Sequence, residues 1–367
     1  MADTSAATGL TVQQWDDKFY KDWIQSNRFA KYMGTSPGAL IQVKEDLTKK
    51  KGDTITFALV NRLTNAAVEG SNTLEGNEED MISRSHTVTV NKKRNAVRVS
   101  EMEEQKSAIG LRAAARPVLM DWAMEYTRDR VIRALGMING VAYASATEAQ
   151  KDAWLDDNYD RVLFGSAKSN TDSTGGTVAY DFSDSLANID NTSDKLSAAN
   201  ISLLKRIAQT ASPKIRPIRT EGDKEFFVMF AHPLCFRDLK NDSVITQAQR
   251  DVGLRMQNNR LFQGGDIEWD GVIIREIQDI ATLSNVGAGA AVDVGPNYFC
   301  GAQALAMANA KRWRTKTKEF DYGDKFGVAV DGIWEINKMI FGTGAGDTDD
   351  QKDHGVVTGF FAAVADA

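Results

Sequence analysis

Few groupings of residues in this chain have obvious chemical potential. Gly342-Thr343-Gly344-Ala345-Gly346-Asp347 follows a predicted strand and suggests a loop whose backbone N–H groups would cradle a dinucleotide pyrophosphate. The third glycine of that pattern would fall at 347, which is Asp347, and the short stretch beyond leaves no room for a βαβ unit. A flexible, glycine- and aspartate-rich tail is the better reading. His232 and Cys235 have a ligand-like spacing, and Cys300 offers a third donor. A structural zinc site needs four N/S donors and no CxxC accompanies these, so His232 reads as an ordinary strand-end residue ahead of Pro233. Asp347, Asp349 and Asp350 resemble the start of a calcium loop, but Lys352 occupies the position that requires glycine. His86, His232 and His354 are the chain's histidines, and none has a partner identifiable from sequence that would make it a general base. Catalytic residues, cofactors and metal ligands are accordingly assigned as none.

Charge patterning is more informative. Lys311 to Lys318 carries Arg312, Arg314, Lys316 and Lys318, with Trp313 interleaved. Such a run reads as a nucleic-acid or acidic-partner patch, or as the solvated face of a strand. Electrostatic pairing with an acidic segment such as Glu75–Asp80 on a neighbouring subunit is the favoured reading. Exposed ion pairs contribute about 0–1 kcal/mol each, so these would set register more than stability.

That acidic segment lies in a long connection. Asp53 to Val60 alternates as a strand, with Ile55, Phe57 and Leu59 on one face. A polar excursion holding Glu69, Glu75, Glu78, Glu79 and Asp80 separates it from Thr87–Val90. A connection of about 25 residues inside a compact domain is uncommon and is usually functional. This one has no nucleophile–base pair, which suggests an arm lying on a neighbour. Ahead of it, residues 11–33 hold Trp15, Phe19, Tyr20 and Trp23 at helical spacings, as a packing helix or as an arm docked on another subunit.

Further elements follow from local pattern. Thr87–Val90 and Ala96–Val99 suggest a hairpin with Asn91-Lys92-Lys93-Arg94 as its basic tip. Ser100-Glu101-Met102-Glu103 has capping-box spacing and should start a helix running to about Leu135, kinked or restarted at Pro117. Its two apolar stripes, Leu119/Trp122/Tyr126 and Met120/Met124/Val131/Leu135, imply contacts on two sides. Residues 165–195 read as an exposed polar loop, 196–211 as helix and 225–230 as a buried strand. A helix from Pro233, another at 244–250, and strands around Asp270-Gly271 and at 298–300 complete that region. Alanine-rich Gly301–Ala310 suggests helix, and Val328–Val330 and Ile333–Phe341 suggest strands joined at Asp331-Gly332.

The whole chain sets bounds on these readings. Its 367 residues suffice for two or three domains, and 42% hydrophobic with 26% charged residues fits a folded protein. A net charge of -6 argues against a dedicated nucleic-acid binder. No apolar run reaches a bilayer's width and no signal peptide is evident, so no membrane partner is expected. Cys235 and Cys300, far apart in sequence, fit free, buried thiols in a chain that folds in the cytoplasm.

Short motifs add a family resemblance across most of the chain. Trp15 through Trp23, Lys31-Tyr32-Met33-Gly34, Gly52 to Phe57, Leu74-Glu75-Gly76-Asn77-Glu78-Glu79, Arg116 to Trp122 and Gly301 to Leu305 carry it. Together they resemble tailed-bacteriophage major capsid proteins of the Hong Kong 97-like fold. The resemblance implies an α+β chain: an N-arm (1–50), an extended β-hairpin E-loop with base strands (51–100), and a P-domain (101–215) with a long spine helix at about 101–135. A mixed α/β A-domain (216–308), P-domain return strands (309–341) and a C-terminal tail (342–367) follow. It implies a non-enzymatic subunit that self-assembles into the pentamers and hexamers of an icosahedral head around double-stranded DNA. The implied site is virion assembly in the host bacterial cytoplasm. Expected partners are other copies of the chain, a separate scaffold, a portal, a decoration protein and, non-specifically, packaged DNA. Intersubunit contacts are expected at Trp15, Tyr20, Trp23, Glu69, Glu75, Glu78, Glu79, Arg312, Arg314, Lys316 and Lys318. The Lys–Asn–Glu set with which some members cross-link is not matched. Rival readings are a tail-tube or decoration subunit, and a soluble enzyme with a scattered site near His232.

Overall fold

In the computed structural model the described residues are 29–48, 52–63, 65–107, 110–171, 180–219, 225–251, 266–344 and 346–365. Trp15, Tyr20 and Trp23 lie outside them. The elements begin with β1 (Met33–Gly34), β2 (Ile41–Lys44), β3 (Thr54–Val60), β4 (Ser83–Thr89) and β5 (Asn91–Ser100). Helices α1 (Glu101–Lys106), α2 (Leu111–Leu135) and α3 (Glu148–Asn158) come next, then β6 (Val162–Phe164), α4 (Phe182–Ala187) and α5 (Ala198–Thr210). They are followed by β7 (Ile218–Arg219), β8 (Glu225–Ala231), α6 (Pro233–Asn241), α7 (Ser243–Asp251), β9 (Ile267–Trp269), β10 (Val272–Glu276) and β11 (Val294–Cys300). Last are β12 (Leu305–Phe320), β13 (Lys325–Lys338), β14 (Ile340–Thr343), β15 (Asp349–Asp353) and β16 (Val356–Ala362). The chain divides into two compact units, one holding 91–128 and 311–334, the other 29–90, 129–310 and 335–367.

In the smaller unit, strands run in the order β12-β13-β5, with β13 and β5 antiparallel from Lys325↔Ser100 to Trp334↔Asn91. Helix α2 covers one face. Ala115, Leu119 and Ala123 bury against Val328 and Val330, and Trp122, Tyr126, Trp313 and Trp334 close into an aromatic cluster with ring centroids 5.3–6.4 Å apart. Such pairs add about 0.5–1.5 kcal/mol beyond their burial. Trp313 Nε1 donates to Thr127 Oγ1 at 3.1 Å, which satisfies the indole where it is partly buried. Gly332 lies under the Trp313 ring, where a Cβ would come within 3.1 Å.

Three expectations change in this unit. β4 and β5 do not form a hairpin: β4 pairs with β3, and β5 pairs with β13, so the basic residues 92–94 belong to a strand rather than a tip. The expected helix 101–135 is two helices, α1 ending at Lys106 and α2 starting at Leu111, and Pro117 lies inside α2 without ending it. Ser100 Oγ accepts the Glu103 N–H at 3.4 Å to cap α1, and Glu104 Oε2 accepts the Arg112 N–H at 3.1 Å as α2 starts. Pro117 is tolerated because it lies in the second turn of α2 and forfeits a single helical bond near its end. β13 runs unbroken through Asp331-Gly332.

In the larger unit, a sheet in the order β6-β16-β11-β8-β10-β9 has helices on both faces. Phe361, Phe299, Met229 and Phe227 face Leu204, Ile207, Phe236 and Leu239 of α5 and α6. Phe360, Phe164 and Val294 face Trp154 and Leu155 of α3 and Phe182 and Leu186 of α4. Adjacent Phe360 and Phe361 point to opposite layers, as the two-residue strand period requires. The segment from Gly342 is therefore not an irregular tail, because β16 is an interior strand buried at every position. Likewise 165–195 contains α4, capped by Asp181, whose carboxylate accepts the Asp184 N–H at 2.9 Å.

A second small layer holds β3 and β4. Ile55, Phe57 and Val88 bury against Ala306, Ala308, Met339 and Phe341. This explains why alanine-rich 305–310 is strand, not helix. Small side chains let β12 lie beside β2, in parallel register Leu305↔Ile41 to Ala308↔Lys44, and long-range pairing overrides alanine's helix preference.

Candidate intersubunit surfaces

The β3–β4 hairpin pairs from Thr54↔Thr89 to Val60↔Ser83, and Asn61 N–H donates to the Ile82 carbonyl at 2.9 Å just beyond. Its root is fixed by the buried layer just described. Residues 61–82 then leave that layer. Leu63 and Leu74 are 63% exposed and Met81 72%, and Val60 and Ile82 also face solvent. Apolar side chains gathered on one solvated arm mark an interaction surface.

The loop's carboxylates divide into two roles. Glu78 Oε2 accepts the Gly76 N–H at 2.7 Å, and Glu79 Oε2 accepts the Asn65 N–H at 2.8 Å. Asn77 Nδ2 donates to the Thr73 carbonyl at 2.9 Å. Glu78 and Glu79 thus shape the loop's own turns, with Gly70 and Gly76 at positive φ. Glu69 and Glu75 are exposed along it. Sequence reasoning missed Leu63, Leu74 and Met81; their signal was an apolar residue recurring without helical or strand period inside a polar stretch.

The basic run lies on β12 in the smaller unit. Trp313 faces α2, so Arg312, Arg314, Lys316 and Lys318 alternate onto the opposite face. Arg314 grips Asp331 in a two-pronged bond, Nε to Oδ1 at 2.7 Å and Nη2 to Oδ2 at 3.0 Å, and Lys316 approaches the same carboxylate at 3.4 Å. The Arg314 guanidinium holds the Asp331 carboxyl down to about 2. Part of the strip's charge is therefore met within its own unit. Lys318 Nζ sits 5.0 Å from the centre of the Phe320 ring.

Groups considered for chemistry have structural duties. Glu148, Asp152 and Asp181 bring carboxylate oxygens within 4.8 Å of one another. Asp152 Oδ1 accepts the Phe182 N–H at 2.9 Å, Asp181 caps α4, and Lys151 pairs with Glu148 at 3.4 Å. Cys235 and Cys300 are free and buried, and burial pushes the Cys235 thiol up to about 12, far from a reactive thiolate. His232 sits at the N-cap of α6, with Nε2 2.9 Å from Thr282 Oγ1, and burial holds it down to about 4. As expected, it directly follows a strand, β8, ahead of Pro233, and it is buried there.

The described residues thus present an acidic arm with exposed apolar side chains and a sheet face rich in cations. A family model described as phage capsid protein matches residues 3–364, and the chain belongs to that family. It is 27% identical over 369 residues to the major capsid protein of Pseudomonas phage KPP25, covering 96% of each chain. The capsid asymmetric unit of cyanophage Pam1 superposes with a TM-score of 0.86 at 30% identity, over 100% of both chains. The capsid of Ralstonia phage GP4 shares the fold, with a TM-score of 0.74 at 22% identity over 100% of both. The α+β, Hong Kong 97-like capsid expectation agrees with these neighbours, and family membership points to a structural role in the virion shell.

Proposed function

We propose that this chain is the major capsid protein of a tailed phage, assembling as pentamers and hexamers into an icosahedral head around double-stranded DNA. Its action is geometric rather than enzymatic. The observation that carries the reading is the arm at 61–82, fixed at its root and exposing Leu63, Leu74 and Met81 along its length. Its own subunit has no need of those side chains, and a neighbour that covers them removes apolar surface from water at about 25 cal/mol per Å². Obligate interfaces of this kind often exceed about 2,000 Å². In this reading 1–50 is the N-arm, 51–100 the E-loop and its base, 101–215 and 309–341 the P-domain and 216–308 the A-domain. Glu69, Glu75, Arg312 and Lys318 meet neighbouring subunits, as do Trp15, Tyr20 and Trp23. Assembly takes place in the host bacterial cytoplasm with a separate scaffold and a portal, and a decoration protein binds afterwards.

Electron microscopy of the chain co-expressed with its scaffold tests this reading. Shells or capsomers are expected, and a persistent monomer would count against it. A sharper variant replaces 62–81 with Asn-Gly, which spares β3, β4 and the buried Phe57 and Val88. That variant should fold with an unchanged melting curve and form no shells.

A further inference from the structure

The root of the β3–β4 hairpin holds a half-buried cation, Arg84. Strand period turns Arg84, His86 and Val88 of β4 to one side, and burial along them rises from half-buried Arg84 and His86 to buried Val88. Arg84 has no ion-pair partner among the described residues. It lines a cleft of about 190 Å³ whose wall also holds Arg161, Lys352 and His354. These reach it from separate parts of the larger unit: Arg161 just ahead of β6, Lys352 on β15 and His354 between β15 and β16. Asn61 and Ser212 add an amide and a hydroxyl, and Leu59 and Phe341 form an apolar part of the wall.

Carboxylates around the cleft are largely committed. Asp160 accepts two bonds from Arg161, Nε to Oδ1 at 3.1 Å and Nη2 to Oδ2 at 3.2 Å, and a third from the Ser212 N–H at 2.8 Å. Asp157 accepts the Gln351 N–H at 3.2 Å. Asp350, on the wall itself, is half exposed and stands 3.7 Å from the Lys352 ammonium. Arg84 is thus the charge in excess. The potential on the wall has the same sign: burial holds the His354 imidazole down to about 4, and the guanidinium groups of Arg161 and Arg216 push it the same way. We propose that this cleft binds a phosphate group, with Arg84 and Lys352 meeting its charge and Asn61 and Ser212 donating to its oxygens. Donors drawn from β4, β15, the residue after β3 and the loop after α5 suit a tetrahedral oxyanion better than a planar carboxylate. Bound phosphate ties the root of the hairpin to the body of the larger unit. A free anion and the backbone of a nucleic acid present the same group.

Equilibrium dialysis of the full chain against radiolabelled inorganic phosphate tests the proposal. Saturable binding of a single phosphate per subunit is expected, displaced by sulfate but not by chloride at equal ionic strength. Arg84→Gln/Lys352→Gln should weaken it at least about ten-fold with an unchanged melting curve, the loss expected when charged donors are removed. Asn61→Asp, an isosteric change at an exposed position, places a carboxylate at the cleft and should weaken binding too. That variant keeps the site testable should the double change impair folding. Competition by a short single-stranded oligodeoxynucleotide assigns the site to nucleic-acid backbone, and failure to compete assigns it to the free anion; both support a phosphate site. Absence of saturable binding overturns the proposal. So does full-strength binding by either variant once its melting curve shows it to be folded.

Discussion

Single residues here are mostly committed to holding the subunit rigid. Lys338 and Asp353, each 1% exposed, pair at 2.8 Å, and Trp154 Nε1 donates to the same carboxylate at 3.3 Å. Fully buried Arg161 donates to the Asp353 carbonyl at 2.5 Å and to the Ser212 carbonyl at 2.8 Å. Lys338→Met leaves a buried carboxylate without its counter-charge and should destabilise the subunit by about 3–5 kcal/mol. Lys338→Met/Asp353→Leu should cost less than the single change, measured by urea unfolding. Histidines add a pH dependence. Burial holds His86 and His354, which pack edge-on against Phe341, down to about 4 from the usual 6.5. As pH falls below about 6.5 the unfolded chain takes up protons and the folded one does not, so stability declines until about 4 and then levels off. Asp331 acts lower: its contribution, complete above the ordinary carboxylate range, is lost only as pH falls toward about 2. A denaturation midpoint that stays flat between pH 6.5 and 4.5 would contradict neutral, buried histidines. None of this was legible in the sequence, because burial of a histidine or lysine is decided by strands hundreds of positions away.

Elements with a local signature were legible, and those fixed by distant partners were not. The α1 cap, the helix after His232-Pro233, the helix at 243–251 and the turn at Asp270-Gly271 each depend on a few adjacent residues. Helix α3 was overlooked although Thr147 and Gln150 form a capping box in front of it. Strands β12 and β16 were misread because alanine and glycine favour other structures when judged alone, and only their neighbours in the sheet make them strands. The β12–β13 connection makes its own prediction. Asp321, Tyr322 and Gly323 all have positive φ, and Tyr322 projects fully into solvent. A left-handed conformation costs a non-glycine residue about 1–2 kcal/mol. Tyr322→Gly should therefore raise the unfolding free energy by about 1 kcal/mol, seen as a higher urea midpoint. If Tyr322 also inserts into a neighbour, the same variant will assemble less well while melting higher.

At the scale of the whole molecule, the family and the general architecture were legible from short motifs, whereas the surfaces that join copies were only half visible. The acidic loop and basic run could be read directly. The exposure of Leu63, Leu74 and Met81 and the contribution of β5 to the cationic face required the folded chain. Electrostatic docking predicts salt dependence: raising ionic strength from 0.1 to 1 M shortens the screening length from about 10 to about 3 Å. Assembly should slow several-fold under those conditions by light scattering, with the subunit's own melting point little changed. The place of β16 between β6 and β11 has a further consequence, in time rather than space. β6 precedes β16 in the chain and cannot join the sheet until residues 356–362 have left the ribosome, because β16 is the strand that links it to β11. A nascent chain displays the arm and the basic strands before it owns a finished body. The sheet is therefore expected to close only once residues 356–362 are made, however early its other strands emerge.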